Sequence, residues 1–335
     1  MGWPNVYTLG IAAFVKYLIR LNIFLWREIC FSNEATKFGG PVSVWRTHMA
    51  AHHKFSASRI AALAGLLACL VALPASAAPF FFSTGNPDGR MATASRPASA
   101  GKLEIESADD FVLGSTTQIT GASFIGLLPT GLQLSGISRV VVEIYRVFPL
   151  DSTIPPSGSV PTRANSPSDT ALDSRDSSLP NLSFTASILN NSFTASNSVV
   201  NGINKSLTPF TGGEGAVTGE EVSFNINFLT PFLLGADHYF FVPQVKLTSG
   251  DFLWLSAPRP IVAPGTPFAP GTTDLQSWIR NGNLDPDWLR VGTDITHEGP
   301  FNAAFSLTGS TVPEPASLAL FVFGLAGLAF SRRKS

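Results

Sequence analysis

The stretch Glu-Glu-Val-Ser-Phe-Asn-Ile-Asn-Phe-Leu at residues 220–229 alternates apolar and polar side chains more cleanly than any other part of the chain. Its apolar members are Val222, Phe224, Ile226 and Phe228. Because successive side chains of a β-strand point to opposite faces, this pattern predicts a strand with one buried face and one polar face. Such a strand belongs in an antiparallel sheet that packs against a second layer.

Further short runs on both sides of this segment also have the character of strands. They lie at residues 102–107, 110–113, 119–128, 139–148, 182–189, 192–200, 238–247, 251–257, 288–291 and 301–307. Residues 277–280 are either a short helical turn or a strand. About ten short strands without a long amphipathic helix predict an all-β fold, a single β-sandwich of immunoglobulin-like or jelly-roll-like topology over residues 78–311.

Two strand pairs and one long loop are predicted within this sandwich. Residues 238–247 and 251–257 flank Thr-Ser-Gly and predict a hairpin. Residues 182–189 and 192–200 each contain the sequence Ser-Phe-Thr-Ala-Ser and predict a second pair of strands. The polar, proline-rich residues 149–180 predict a long surface loop or an excursion along a sheet edge.

Composition and charge restrict the classes of partner. The chain is 13% charged and 44% hydrophobic, with 26 Phe, 29 Gly and 25 Pro, which favours an extracytoplasmic all-β protein over a disordered one. Residues 78–311 hold 20 Asp and Glu against 12 Lys and Arg, a net charge of -8. This acidity argues against nucleic acid and anionic membrane surfaces as partners.

The N-terminal region has the features of an export signal. Lys54 and Arg59 precede the apolar residues 60–73, and Ala75 and Ala77 form the small-x-small pattern that signal peptidase cleaves. We expect the signal peptide to span residues 49–77, beginning at a methionine, and cleavage to follow Ala77. Residues 1–48 are then an upstream extension outside the protein, or alternatively a long n-region with its own membrane affinity.

Both cysteines lie in these N-terminal segments. Cys30 is in the extension and Cys69 is in the apolar part of the signal, so residues 78–311 contain no thiol. Residues 66–69 have some likeness to a lipobox, which leaves a lipoprotein as an alternative. The apolar run continues beyond Cys69, however, and a better cleavage site follows it.

The C-terminal 24 residues combine three features. Val312, Pro313, Glu314 and Pro315 open the segment, residues 318–330 carry no charge, and a basic cluster ends it. The basic residues are Arg332, Arg333 and Lys334. As a helix, the uncharged run would be about 20 Å long, shorter than a hydrocarbon core of about 30 Å, so it is a minimal membrane span.

This three-part order resembles the PEP-CTERM sorting signal of Gram-negative bacteria. The resemblance implies recognition by exosortase, a membrane protease-transpeptidase, and an association with exopolysaccharide and biofilm. It implies an inner-membrane intermediate, with the sandwich outside, followed by display on the cell surface or in the extracellular matrix. An ordinary membrane anchor or a buried apolar tail is the alternative. Residues 84–94, 105–111 and 285–290 are also similar to an uncharacterised group of PEP-CTERM proteins, which implies no particular chemistry.

Candidate catalytic groups are few. His238 and His297 lack the spacing of a metal site or a catalytic triad, and no nucleophile or phosphate-binding motif is present. Paired carboxylates are the remaining enzymatic option, since glycoside hydrolysis uses two acids. The candidates are Asp109, Asp110, Glu220, Glu221, Asp285 and Asp287. We expect the first two pairs to mark the solvent boundary where apolar strands begin, and predict neither a catalytic residue nor a cofactor.

Two further features bear on ligands. Oxygen-bearing side chains alternate through residues 281–287, as in calcium-binding loops, but Trp288 stands where a glycine is required. We therefore interpret this segment as a turn held by Asn and Asp side chains rather than as a metal site. Trp278 and Trp288 lie in loop-rich surroundings and are expected to be partly exposed, which makes them candidate sugar contacts.

The sequence thus favours a non-catalytic, exosortase-sorted protein of the cell surface or exopolysaccharide matrix. Signal peptidase and exosortase are its expected processing partners, and exopolysaccharide is a candidate ligand. A carbohydrate-binding module or a polysaccharide-active enzyme is the alternative. These classes differ in whether the carboxylates and tryptophans converge on a cleft.

Overall fold

The computed structural model describes residues 77–204, 211–261 and 273–313. In these ranges the regular structure is almost entirely β-strand, arranged as two packed sheets. The predicted all-β sandwich is therefore confirmed. Helical structure in the same ranges is limited to a 3-10 turn at Leu134–Gly136 and a π-helical turn at Val291–Ile295.

Fifteen strands are found in the described ranges. In chain order they are β1 (Pro79–Ser83), β2 (Met91–Ala94), β3 (Ile105–Leu113), β4 (Thr117–Leu128), β5 (Ile137–Arg146), β6 (Asp173–Asp176), β7 (Ser183–Ala195), β8 (Asn197–Val199), β9 (Val217–Leu234), β10 (Asp237–Leu247), β11 (Leu253–Ala257), β12 (Trp278–Asn281), β13 (Leu289–Arg290), β14 (Asn302–Ala303) and β15 (Phe305–Thr311).

The strands divide into a large sheet and a small sheet. The large sheet follows the order β1-β15-β4-β11-β2-β8, with β9 between β4 and β7 and with β14 paired to β11. The small sheet has the order β13-β12-β3-β10-β5-β6. Neighbouring strands are antiparallel except for β2 and β8, which run parallel.

Aromatic side chains fill the space between the sheets. Phe124 stacks on Phe224 with ring centroids 4.8 Å apart, and Phe241 of the small sheet stacks on Phe305 of the large sheet at 5.0 Å. The alternation predicted from residues 220–229 is confirmed within β9. Its apolar residues Val222, Phe224, Ile226 and Phe228 are buried in this core.

The outer face of the small sheet is covered as well. Tyr145, Phe240 and Val242 project away from the central core and pack with Trp278 and Trp288 in a separate buried cluster. This second layer explains why the middle of β10 is buried on both faces.

Residues 149–180 add to this covering layer, and they follow the edge of the small sheet, as the edge-excursion alternative predicted. Arg163, Ser166 and Ser168 are buried within this segment, and it supplies the edge strand β6. Its prolines and serines allow an irregular path, while its polar side chains bond to the sheet below.

Both predicted strand pairs are wrong. The residues predicted as a hairpin form β10 in the small sheet and β11 in the large sheet, so the chain crosses between layers at residues 248–252. The segments that contain the two copies of Ser-Phe-Thr-Ala-Ser do not pair with each other. They form one continuous strand, β7, which ends at Ala195 and pairs with β9. Residues 277–280 contribute the strand β12, and the short β13 leads directly into the π-helical turn.

Candidate functional site

The two ends of the sandwich lie side by side. β1 pairs with β15 so that Pro79 is opposite Ser310. The Ala78 amide donates to Thr311 Oγ1 at 3.1 Å, and the Thr311 amide donates to the Ala78 carbonyl at 2.8 Å. The predicted signal-cleavage point and the start of the C-terminal segment are therefore brought together.

The C-terminal segment begins without a spacer after the sandwich. Thr311 is the last residue of β15, and the next amide, that of Val312, donates to the Thr116 carbonyl at 2.8 Å. The Val312 side chain is exposed. Pro313, the last described residue, thus follows directly on a residue that is hydrogen-bonded to the sandwich.

Several predicted site residues lie outside the described ranges. They are Ala75, Glu314, Pro315, Arg332, Arg333 and Lys334. Residues 1–48, nearly all of the predicted signal peptide and the predicted membrane helix lie outside them too, so these remain predictions. Among the described residues, no helix has the length and apolarity needed to cross a membrane.

Residues 311–334 match the family profile described as the PEP-CTERM protein-sorting motif. The chain carries a PEP-CTERM sorting signal. This motif indicates an exported protein that exosortase sorts to the cell surface or beyond it. No curated protein and no solved structure gives a significant match. The motif therefore indicates localisation and not chemistry, and any chemical role of this PEP-CTERM protein depends on the residues of the sandwich.

The two tryptophans proposed as sugar contacts are buried. Trp278 is 1% exposed and Trp288 is 0% exposed, so the expectation of partial exposure is wrong. The Trp288 indole Nε1 donates to the Ser168 carbonyl at 3.1 Å, and its ring meets Tyr145 edge-on at 5.5 Å. The segment around residue 168 covers Trp288, and neither ring presents a face to solvent.

The Asp109-Asp110 pair lies in the interior and not at a solvent boundary, which corrects the second expectation. Both residues are 1% exposed in the middle of β3. Asp109 accepts a hydrogen bond from the Ala303 amide at 2.8 Å, and Asp110 accepts one from the Leu275 amide at 3.1 Å. Burial raises the pKa of the Asp109 carboxyl well above its usual range, and the neighbouring charge of Asp110 raises it further.

His238 lies beside the second of these carboxylates. Its Nε2 is 2.6 Å from Asp110 Oδ2, and the ring is about one-fifth exposed. Sequence spacing gave no sign of this pair because the two residues are distant in sequence and adjacent only through the pairing of β3 with β10.

A buried charge network, unnoticed in the sequence, lies on the outer face of the small sheet. Arg280 on β12 donates to Asp285 at 2.7 Å, to the Tyr145 hydroxyl at 2.9 Å and to Glu106. Its guanidinium lies 4.4 Å from the centroid of the Trp288 ring. The only sequence signal was the presence of Glu106 and Arg280 within segments that could form strands.

Glu143 adds a second acid to this network. Its Oε2 is 3.0 Å from the Tyr145 hydroxyl oxygen, which itself donates to Glu106 Oε1 at 2.6 Å. Burial raises the pKa of Glu143 to about 8, and the nearby charge of Glu106 contributes to the rise. Burial and the nearby carboxylate therefore favour the protonated form of Glu143, while Arg280 forms an ion pair with Glu106.

The six carboxylates proposed from the sequence are distributed over separate places. Asp285 binds Arg280, and the buried Asp287 lies 3.2 Å from Arg163 Nη1. Glu220 and Glu221 belong to β9 in the other sheet. The structure thus joins Asp285 and Asp287 to arginines and does not bring the three pairs into one cleft.

Residues 281–287 form a turn held by side-chain hydrogen bonds. Asn281 Oδ1 accepts from the amides of Asn283 and Leu284 at 3.1 and 3.0 Å. Because both aspartates of the segment are directed to arginines, its oxygens do not converge. Across the described ranges, no group of three or more His, Cys, Asp or Glu side chains is arranged to hold a metal ion.

Proposed function

We propose that the exported sandwich is a non-catalytic structural or adhesive protein of the cell surface or exopolysaccharide matrix. Three of the carboxylates that were candidates for chemistry contact basic side chains. Asp110 contacts His238, Asp285 contacts Arg280, and Asp287 contacts Arg163. These contacts favour a role in stabilising the fold over a role in acid-base chemistry.

The observation that carries a structural role is the long exposed edge of β7. This strand has 13 residues and pairs with β9 on one side, and no other strand of the described ranges pairs with it. Its register with β9 is regular over residues 183–188 and shifts on either side of Asn190. The outer edge of residues 183–188 therefore presents extended backbone that can accept another strand.

The side chains of β7 make this edge unusual. The strand contains no charged residue, and Ile188 and Leu189 are 42% and 53% exposed. Natural proteins commonly protect an edge strand with lysines, prolines or bulges because unpaired strand backbone promotes association. An uncharged edge suits repeated strand-to-strand contact with a second copy of the chain, as expected of a protein that builds or adheres to a matrix.

The edge proposal can be tested in cells that sort the full-length chain. Replacing Thr185 and Ser187 together by lysine adds two charges to the exposed edge and should reduce association. We expect several-fold more of this variant in the medium and less in the surface fraction, with normal C-terminal processing on immunoblots. Leu233→Lys is the control, since Leu233 is exposed on β9 outside the edge. Equal surface retention of all three proteins would contradict the proposal.

The proposal that the sandwich has no catalytic activity needs a separate experiment. Purified full-length chain is incubated with exopolysaccharide from the producing cells, and new reducing ends are measured. We expect none above a blank. Cleavage that is abolished in Glu221→Gln or Asp287→Asn would instead establish the alternative of a polysaccharide-active enzyme.

A further inference from the structure

A cavity of about 580 Å³ lies between two turns at one end of the small sheet. One wall is the turn from Arg96 to Lys102, which is closed by reciprocal hydrogen bonds between the backbones of Ser99 and Lys102. The opposite wall is the end of β10 with the turn that leads to Asp251. The volume is within the range of small-molecule sites, about 300–1,000 Å³.

Arg96 lies in the wall of this cavity with unused hydrogen-bond donors. Its side chain is 12% exposed, and its Nε and Nη1 atoms are buried without a hydrogen-bond partner. Nη1 is 3.2 Å from Asp251 Oδ1, so the two groups attract each other, but their orientation is not that of a hydrogen bond. Buried donors without acceptors are costly, and a bound acceptor would satisfy them.

Other arginines of the sandwich show what is missing here. Five of them donate at least one hydrogen bond to a carboxylate oxygen, namely Arg139, Arg163, Arg175, Arg280 and Arg290. Arg96 differs because its only acidic neighbour already accepts a hydrogen bond from Lys102 Nζ at 2.7 Å. Its guanidinium is therefore held in the cavity wall with two donors that no protein acceptor uses.

The charge of the cavity differs from that of the surrounding protein. Arg96, Lys102 and Lys246 line it together with a single acid, Asp251. No ion pair to Lys246 is present in the described part of the chain, so its positive charge is uncompensated. Three of the 12 cationic residues between positions 78 and 311 thus meet at one cavity of an acidic domain.

We propose that this cavity binds an oxyanion, a carboxylate, phosphate or sulfate group carried by a small acidic ligand. The guanidinium of Arg96 supplies directional donors, and the ammonium of Lys246 supplies a point charge. Asp251 Oδ1 contacts both Arg96 Nη1 and Lys102 Nζ and so holds the two cations at the wall of the cavity. This proposal does not depend on whether the sandwich is catalytic or structural.

Calorimetry on the full-length chain in detergent micelles tests the proposal with three probes. They are inorganic phosphate, a carboxylated oligosaccharide such as oligogalacturonate, and a neutral oligosaccharide of the same length. We expect at least one anionic probe to bind and the neutral one not to bind. Binding of phosphate alone would identify a phosphate group as the ligand chemistry, and binding of the oligogalacturonate alone would identify a sugar carboxylate.

Matched variants locate the binding. Arg96→Gln and Lys246→Gln should each weaken the binding of the anionic probe about 10- to 100-fold, the effect of losing one charged hydrogen bond. Arg90→Gln removes the same charge outside the cavity, where Arg90 donates to the Glu298 carbonyl, and should bind as wild type does. Thermal melts confirm that the variants are folded. Failure of wild type to bind either anion at millimolar concentration, or undiminished binding by folded Arg96→Gln and Lys246→Gln, would overturn the proposal.

Discussion

Glu143 shows at the scale of one residue how burial controls charge in this sandwich. It is on the outer face of β5, beside Glu106 and Tyr145 and beneath the covering layer. Removing a carboxylate from water penalises its charged form, and a second carboxylate nearby adds repulsion. The pKa of about 8 therefore reflects burial first and the neighbouring charge of Glu106 second.

This shift predicts how the stability depends on pH. The folded state binds the Glu143 proton more tightly than the unfolded chain, whose carboxyl has a pKa of about 4.3. The stabilising contribution is thus complete below the unfolded value and is lost as the pH rises towards 8. Glu143→Gln mimics the protonated acid, so its free energy of unfolding should fall less than that of wild type between pH 5 and 9.

Urea unfolding of the full-length chain at a series of pH values measures this difference. Glu220→Gln is the control, since Glu220 is a partly exposed carboxylate of the large sheet. It should follow the wild-type profile. Parallel profiles for wild type and Glu143→Gln would show that Glu143 is ionised in the folded protein, against expectation.

At the scale of elements, the segment over residues 149–180 depends on buried charge for its position. Arg163 is 2% exposed, donates to Asp169 at 2.7 Å, and lies 3.2 Å from Asp287 of another segment. Its guanidinium also lies 4.4 Å from the centroid of the Phe148 ring. These contacts tie an irregular, proline-rich layer to the sheet where few apolar side chains are available.

Arg163→Ala should release this layer. Removing the cation leaves two buried carboxylates without their partner, a change that typically costs about 3 to 5 kcal/mol. We expect that loss in urea unfolding, together with faster proteolysis within residues 149–180. Arg146→Ala removes a more exposed ion pair with Asp151 at the same segment and should cost at most about 1 kcal/mol. Equal losses in the two variants would refute an anchoring role for Arg163.

The elements also show what the sequence could and could not reveal. The alternation around Phe224 predicted a strand and its inward face, because a period of two is a local property. It could not assign β10 and β11 to different sheets, because either pairing gives the same local pattern. Trp288 and Asp109 were placed wrongly for a related reason. Their burial depends on distant covering segments, such as the one at Ser168, and on a backbone amide, that of Ala303.

At the scale of the whole molecule, the adjacent ends of the sandwich determine where the sorting motif begins. Ala78 and Thr311 hold each other by two hydrogen bonds, and Val312 is bonded to Thr116. The folded domain therefore reaches to within one residue of Pro313. We expect exosortase to act on the motif with the sandwich held close to the membrane surface, and the exported chain to stay there until the motif is processed.

The motif itself should decide release from the membrane. Pro313→Ala combined with Glu314→Ala replaces two of the four residues that open the motif, and it removes the proline that keeps Val312 out of the helical conformation. In exosortase-positive cells this variant should accumulate as a longer precursor in the membrane fraction on immunoblots. Ser310→Ala, in β15 and outside the motif, should be processed normally. In cells without exosortase, wild type and variant should be retained equally, because neither is processed by exosortase. Equal membrane retention of wild type and variant in cells with and without exosortase would instead identify the tail as a plain membrane anchor. Release of the variant at the wild-type level would identify the start of the motif as dispensable.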